Sequence, residues 1–370
     1  MNHGLERLLG QLMNGESLSE EQSETLMTAL AAGSVEPALA GALLVALSMK
    51  GESAEEVRGF ANGMRKVATE VKLDDSLEPI DIVGTGGDGS QSFNISTGSA
   101  LLSAACGLNV AKHGNRSVSS KSGSADLLEF LGYRFPTEAD AVKTQIRETG
   151  FSFLFAPNFH PAMKHIAPIR QALKIRTVFN ILGPLTNPAK PSFYLLGAFS
   201  SEMASLMASS LSGMELKRAF VVHGLNGWDE PTPASKFELF DVKKNTITHR
   251  IIDPEQHGIK TCTEEDLKGG TSEVNAEALV KVFQGKDNGA HEDALVLNAA
   301  LSLQVTGKVK ELNDQGKLNL YTKYQMDSVS GDKQIETVKI KHDEGEIKEI
   351  KSDYVLGFFG LIMQLGPILD

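Results

Sequence analysis

Cysteine is almost missing from this chain. Its 370 residues hold two, Cys106 and Cys262, with no CxxC spacing, so nothing here supports a disulfide framework. Both read as reduced structural thiols of a cytoplasmic protein. Positive charge is also scarce: 36 Lys and Arg stand against 47 Asp and Glu, a formal net charge of -11. That balance disfavours a nucleic-acid binder and still permits a local basic pocket for phosphates. No apolar run reaches the ~20 residues that a membrane-spanning helix needs. The most apolar stretch, Val355 to Leu369, is shorter and contains Gly and Pro, so it reads as a buried or interface helix. Met1 to Gly10 is polar and mixed and lacks the apolar segment of a signal peptide. Internal repeats and low-complexity tracts are absent from the sequence as well.

What is present is globular. Apolar residues make up 41% and charged residues 22%, which argues against wholesale disorder. The length exceeds what one hydrophobic core usually supports, so two lobes are expected. The first lobe, residues 1-72, reads as helices. Ser19 with Gln22 and Ser53 with Glu56 form capping-box patterns. Val57, Phe60, Ala61 and Met64 share one helical face, and Leu39, Leu43, Leu44 and Leu47 make a similar stripe between Pro37 and Gly51. Beyond Leu73 the pattern changes. Short apolar runs at Pro79 to Val83, Leu108 to Ala111, Phe151 to Phe155, Tyr194 to Ala198 and Ala219 to Val222 alternate with helical segments such as Ala125 to Leu131 and Ala294 to Val305. This alternation predicts an α/β lobe over residues 73-370 with a mainly parallel central sheet.

The chemistry concentrates in three clusters. Gly84-Thr85-Gly86-Gly87-Asp88-Gly89 follows the first strand, and Asn94-Ile95-Ser96-Thr97 stands where the next helix should start. Glycines after a strand let the backbone approach an anion, and a helix N-terminus attracts phosphate. The glycines alone fit a tight turn equally well. They match neither the dinucleotide GxGxxG spacing nor a Walker A loop, which needs a Gly-Lys-Ser/Thr. The second cluster, Lys112-His113-Gly114-Asn115-Arg116 with Ser117, Ser119, Ser120 and Ser124, follows another strand. Both clusters should emerge at the carboxyl edge of one sheet, where open α/β sheets bind ligands. Two cations, an amide and several hydroxyls on one loop suit a pyrophosphate-bearing ligand. The third cluster is Gly227-Trp228-Asp229-Glu230. Adjacent carboxylates beside a pyrophosphate would repel it unless magnesium stands between them, since Mg²⁺ favours a carboxylate or two plus substrate phosphates.

These clusters resemble the signature motifs of the anthranilate phosphoribosyltransferases, in the family's order and spacing. Ser119 to Asp126, Ala156 to Lys164 and Arg176 to Pro188 resemble further blocks of that family, and the similarity runs to about Gly307. The resemblance implies a fold like that of the pyrimidine nucleoside phosphorylases, a small helical lobe beside a larger α/β lobe, with part of residues 160-190 returning to the helical lobe. It implies a homodimer that transfers the ribose phosphate of PRPP (phosphoribosyl pyrophosphate) to anthranilate, with two Mg²⁺ ions per monomer. By position, Gly84, Gly87, Asp88, Ser92, Asn94, Ile95, Ser96, Thr97, Lys112, His113, Gly114, Asn115, Arg116, Ser117, Val118, Ser119, Ser120 and Ser124 would surround PRPP. Ser96, Asp229 and Glu230 would serve the magnesium ions. Gly84, Asn115 and Arg170 would meet anthranilate, whose carboxylate suits a guanidinium.

Anthranilate's amino group is neutral at pH 7, so attack on C1 of ribose requires no strong general base. The residues therefore point to binding and metal groups rather than a catalytic triad, with His113 and His160 read either as late proton acceptors or as structural. A nucleoside phosphorylase and a non-catalytic nucleic-acid-binding relative are the alternatives. The Asp229-Glu230 pair favours PRPP over the first, and the acidic balance speaks against the second. After about Val309 the resemblance weakens. Tyr321 to Asp353 is charged, with the alternating run Val338-Lys339-Ile340-Lys341, and reads either as a divergent strand and helix or as an unrelated tail.

Overall fold

Four helices open the computed structural model, which describes residues 2–117, 121–287, 289–309, 324–330, 337–342 and 347–351. They are α1 (Asn2–Met13), α2 (Glu20–Ala31), α3 (Pro37–Lys50) and α4 (Ala54–Val67). Both expected capping boxes form. Ser19 Oγ accepts from the Gln22 N–H at 3.1 Å while Gln22 Oε1 accepts from the Ser19 N–H at 2.8 Å, and Ser53 with Glu56 repeats the exchange at 3.2 and 2.7 Å. Glu56 also accepts from the Leu18 N–H at 2.9 Å and from Lys50 Nζ at 2.8 Å, so one buried carboxylate ties the ends of three helices together. Pro37 opens α3 and Gly51 closes it with φ 86°. The α3 stripe needs one correction: Leu39 is half-buried and Ala40 takes its place on the core face. Residues 40, 43, 44 and 47 keep the i, i+3, i+4, i+7 rhythm that Leu39 breaks.

From Ile80 onward, strands and helices alternate: β1 (Ile80–Gly84), α5 (Ile95–Ala105), β2 (Val110–Gly114), α6 (Ser124–Phe130), α7 (Ala139–Thr149) and β3 (Phe151–Phe155). The chain continues through α8 (Ala156–Phe159), α9 (Met163–Leu173), α10 (Phe179–Leu182), β4 (Phe193–Gly197), α11 (Ser201–Ser212) and β5 (Arg218–Gly224). A hairpin of β6 (Phe237–Lys243) and β7 (Thr246–Ile252) precedes α12 (Ser272–Phe283) and α13 (Ala290–Val305). The sheet order is β3-β2-β1-β4-β5-β6-β7; β3 through β5 are mutually parallel, and the hairpin extends the edge antiparallel. The α/β class with a mainly parallel sheet is therefore the observed one. The hairpin itself was not anticipated. Its signal is the alternating Phe237–Lys243 run ending at Lys244-Asn245, where Asn245 takes φ 57° as a tight hairpin turn requires.

Strand alternation builds two cores. Phe193, Leu195, Phe220 and Val222 face α5, α12 and α13, while Tyr194, Leu196, Ala219 and Val221 face the opposite way. The second core runs on without a break into Leu26, Phe60 and Met64 of the helical lobe, so the two lobes share packed side chains. Helix α9 rests on α2 and α3. Near the end, β8 (Tyr324–Ser330), β9 (Thr337–His342) and β10 (Ile347–Lys351) form a separate antiparallel sheet, and the alternating Val338–Lys341 run lies in β9. Val355 to Leu369 falls outside the described residues. Both cysteines are free, and burial pushes the Cys106 thiol up to about 12, as suits a structural residue. Among the described residues no helix is long and apolar enough to cross a membrane.

Gly59 of α4 faces α2 so closely that a Cβ would strike the Glu20 carbonyl and stand 2.6 Å from Ser23 Cβ. In a free helix Ala gains roughly 1 kcal/mol over Gly. Here overpacking of about 1–3 kcal/mol opposes that gain. Gly59→Ala is expected to lower the urea midpoint of unfolding; an unchanged or higher midpoint would show that α2 and α4 are not in such close contact.

Candidate active site

β1 is the point where the strand order reverses: the chain runs outward to β2 and β3 on one side, then crosses to β4 and β5 on the other. Crevices at such switch points bind ligands in open α/β sheets. At the carboxyl ends of β1 and β4, Gly84 and Gly197 are register partners, and Asp229 lies across both. A Cβ on Gly84 would overlap the Asp229 carboxylate, and one on Gly197 would overlap the Asp229 carbonyl. Two bare strand ends thus form the cradle that lets the loop after β5 fold down onto the sheet.

The three expected clusters do meet at this edge. Gly86 N–H donates to Asp229 Oδ2 at 2.6 Å. Glu230 Oε1 accepts from the Ser96 N–H at 2.9 Å, and its Oε2 accepts from Ser92 Oγ at 2.9 Å. Glu230 therefore caps α5 from across the site, as the positive end of a helix favours. Asp88 spends its carboxylate on Ser90 N–H (3.1 Å), Ser90 Oγ (3.0 Å) and the Asp229 N–H (3.2 Å). A small cavity is lined by Gly84, Ser96, Gly197, Asp229 and Glu230.

Lys112 and His113 correct one expectation. They were read as members of a loop with Arg116, but both lie in β2 with buried side chains. Lys112 Nζ donates to the Ile82 carbonyl and, at 3.4 Å, to Ser96 Oγ, which brings its ammonium beneath the acidic pair. Burial lowers its pKa, and Asp81, Glu230 and Asp229 oppose that shift. Asp81, pushed up to about 6 by burial, accepts from the His113 N–H at 3.2 Å and from Asn187 Nδ2 at 2.8 Å. His113 Nδ1 faces the Gly183 carbonyl at 3.1 Å, and its Nε2 stands 3.1 Å from His160 Nε2. A carbonyl only accepts, so His113 carries its proton on Nδ1 and takes one more hydrogen bond, from His160, at Nε2. Burial drives His113 down to about 3 and His160 to about 4, and both rings are neutral near pH 7.

The remaining expected residues are placed as follows. Asn94 is at the N-cap of α5, with its amide bonded to the Ser122 carbonyl and its Oδ1 to Ser122 Oγ and Asn275 Nδ2. Ile95 and Thr97 are buried in the first turn, and Thr97 Oγ1 donates to Ser124 Oγ at 2.9 Å. Asn115 Oδ1 accepts from the Arg116 N–H at 2.8 Å. The Arg116 guanidinium grips Glu129 at 2.6 and 2.9 Å and Asp126 at 3.0 Å, beside the face of Phe155. Ser117 N–H donates to Asp126 Oδ2 at 3.0 Å. Gly87 and Gly114 lie in the glycine turn and at the end of β2. Val118, Ser119 and Ser120 lie outside the described residues. Arg170 is in α9, with its guanidinium 5.6 Å from the Phe179 ring centroid; half-burial lowers its pKa, and among the described residues no carboxylate comes within ion-pair reach. Gly197 and Asp81 were not singled out from sequence. A glycine closing an apolar strand, as in Tyr194-Leu195-Leu196-Gly197, was the available signal for the first.

Among the described residues, no group of three or more His, Cys, Asp or Glu side chains is arranged to hold a metal unaided. A magnesium ion needs less, because substrate oxygens and water complete its shell. Burial first, then Glu230 and Asp88, raise Asp229 well above the usual carboxylate range. Removal from water and the nearby Asp88 push Glu230 up to about 7. Hard oxygen donors crowded in this way fit a divalent cation.

Comparison with known proteins agrees with this geometry. The glycosyl transferase family, helical bundle domain, matches residues 6–68, and the glycosyl transferase family, a/b domain, matches residues 77–320. The chain is 44% identical over 310 residues to the anthranilate phosphoribosyltransferase of Synechococcus sp., covering 84% of this chain and 89% of that one. The crystal structure of anthranilate phosphoribosyltransferase from Thermus thermophilus aligns with a TM-score of 0.76 at 43% identity, over 82% of this chain and 91% of that one. The Saccharomyces cerevisiae anthranilate phosphoribosyltransferase in complex with PRPP and Mg aligns with a TM-score of 0.76 at 26% identity, over 85% and 92%.

A carboxyl group whose folded pKa is raised stabilises the fold while protonated and loses that contribution as pH rises through the folded value. Without divalent cations, wild-type stability should therefore fall relative to Glu230→Gln as pH rises through about 7. Thermal melts of the two proteins between about pH 5 and pH 8 test this; a constant difference would contradict a raised Glu230.

Proposed function

The chain belongs to the anthranilate phosphoribosyltransferase family, and from that premise we propose that its site transfers the phosphoribosyl group of PRPP to the amino group of anthranilate. The products are N-(5-phosphoribosyl)anthranilate and pyrophosphate, a step of tryptophan biosynthesis. One observation carries the reading: Asp229 and Glu230 are drawn over the bare ends of β1 and β4 at the switch point, against the glycine turn and the first turn of α5.

The tasks of the individual residues are those the family resemblance implies. The backbone of Gly84, Gly87 and Asp88 and the Ser92, Asn94, Ile95, Ser96 and Thr97 segment would receive PRPP together with Lys112 to Ser120 and Ser124. In the ligand-free protein the His113 ring faces Gly183 and His160, and Arg116 pairs with Glu129 and Asp126. Asp229, Glu230 and Ser96 would hold magnesium, two ions per monomer as the family resemblance implies; the yeast relative's complex with PRPP and Mg supports use of the ion. Magnesium held there would supply positive charge to offset that of the departing pyrophosphate. Lys112 Nζ, held beside Ser96 Oγ and the Ile82 carbonyl, is a preorganised donor that could meet charge developing on the leaving group. Arg170, half-buried with no charged group among the causes of its lowered pKa, suits the carboxylate of anthranilate, and the resemblance gives Asn115 and Gly84 to the same substrate.

Proton transfer asks little of the protein. The aromatic amine is neutral and attacks C1 as pyrophosphate departs, so alignment of the two substrates dominates. His113 has both ring nitrogens engaged, by Gly183 and His160, which favours a structural role for it. A homodimer in the cytoplasm completes the proposal, from the family. A nucleoside phosphorylase would have no use for two carboxylates aimed at its phosphate.

Loss of anthranilate fluorescence with PRPP and Mg²⁺, with each component omitted in turn, tests the activity; folded protein that leaves the fluorescence unchanged would overturn it. In the same assay Arg170→Ala should raise the KM for anthranilate about tenfold or more, the scale of one charge-assisted hydrogen bond, and that for PRPP far less. Equal effects on both substrates would make Arg170 structural.

A further inference from the structure

Arg176 has no place in the site as described so far, yet its guanidinium reaches the glycine turn. It lies in the connection from α9 to α10, where its carbonyl accepts from Ser48 Oγ of α3 at 3.1 Å. The side chain is exposed, a position from which arginine usually reaches into water. Here its Cζ lies 4.8 Å from the ring centroid of Phe199, just past β4, and its Nη2 donates to the Gly87 carbonyl at 3.2 Å. Among the described residues no carboxylate stands within ion-pair reach of it.

The receiving carbonyl is one that needs an external hold. Gly87 has φ +75°, with Gly86 at +66° before it and Gly89 at +78° after it. Glycines in that region leave their peptide planes free to turn, and a turn built from three of them has little stiffness of its own. The Gly87 carbonyl and the Asp88 N–H belong to one planar peptide and point opposite ways. Drawing the carbonyl outward to Arg176 therefore fixes the direction of the Asp88 N–H. Asp88 in turn accepts from the Asp229 N–H at 3.2 Å, and Asp229 accepts from the Gly86 N–H at 2.6 Å. Contacts thus run without a gap from α3 of the helical lobe, through Arg176 and the glycine turn, to the acidic pair.

We propose that Arg176 is a positioning residue for the transfer reaction: from the helical-lobe side it clamps the Gly87 carbonyl and holds the Gly84–Gly89 turn in the shape that receives the pyrophosphate-bearing substrate. The stack on Phe199 fixes the plane of the guanidinium, so the hydrogen bond is delivered from one direction. This rests on the transferase reading for its kinetic test, and on geometry alone for its second.

The experiment compares wild type with Arg176→Ala and Arg176→Lys. Arg176→Ala should raise the KM for PRPP about tenfold, the scale of one hydrogen bond from a charged donor, with kcat and the KM for anthranilate within about twofold. Lysine donates but cannot lie flat on Phe199, so Arg176→Lys should recover part of the loss. In the ligand-free protein, hydrogen exchange at the Asp88 and Gly89 amides should be faster in Arg176→Ala, with melting temperature little changed. Unchanged PRPP kinetics together with unchanged exchange would overturn the proposal. So would equal rises in both KM values, or a variant that fails to fold, since either makes Arg176 a general structural residue. An inactive wild type would overturn the transferase reading instead, and the exchange measurement would still decide the role of Arg176.

Discussion

Asp229 and Glu230 are brought beside Asp88 at the carboxyl edge of the sheet, where burial and mutual repulsion raise the pKa of both members of the pair. Such crowding persists only if the surrounding chain compensates for it. Every compensating group is a backbone N–H, a hydroxyl or the buried ammonium of Lys112. None of these is a metal or a bound anion, so the carboxylate oxygens of the pair still offer hard donors to a cation. A divalent ion would offset the negative charge of this edge and bridge it to a phosphate ligand.

Much of the remaining fold serves to hold that edge in shape. Gly84 and Gly197 must lack side chains because Asp229 occupies the space. The β1–β4 register places these glycines side by side, and the reversal of strand order at β1 creates the crevice they floor. Helix α5 turns its first N–H groups toward Glu230, while its other face packs on α13. The helical lobe shares a core with the back of the sheet and comes to the glycine turn through Arg176. Lobe packing and site shape are in this way mechanically continuous.

The sequence was most legible where chemistry is contiguous. Gly84 to Gly89, Asn94 to Thr97 and Asp229-Glu230 could each be read locally, because glycines after a strand, a helix start and paired carboxylates carry their meaning in a few residues. The capping boxes at Ser19 and Ser53 were legible for the same reason. Lys112 was not. A cation three residues before Asn115-Arg116 looks like part of a loop, and its partners Asp81, Asp229 and Glu230 are ones that no local pattern connects to it. Gly197 and Arg176 acquire their roles from residues far along the chain, Asp229 and Gly87. The β6–β7 hairpin has only an imperfect alternation over Phe237–Lys243 to mark it, in a chain whose strands otherwise alternate with helices. Leu39 yielded to Ala40 because α3 is apolar nearly all round, so the rhythm alone did not choose its face.

The central claim is that the acidic pair makes PRPP binding depend on a divalent cation. Calorimetric titration of PRPP into the protein, with Mg²⁺ and then with a chelator, tests it most directly when repeated on Asp229→Asn with Glu230→Gln. The account predicts binding to wild type only with Mg²⁺, and a marked weakening of that magnesium dependence in the double variant. Equally tight PRPP binding to wild type under both conditions would contradict it.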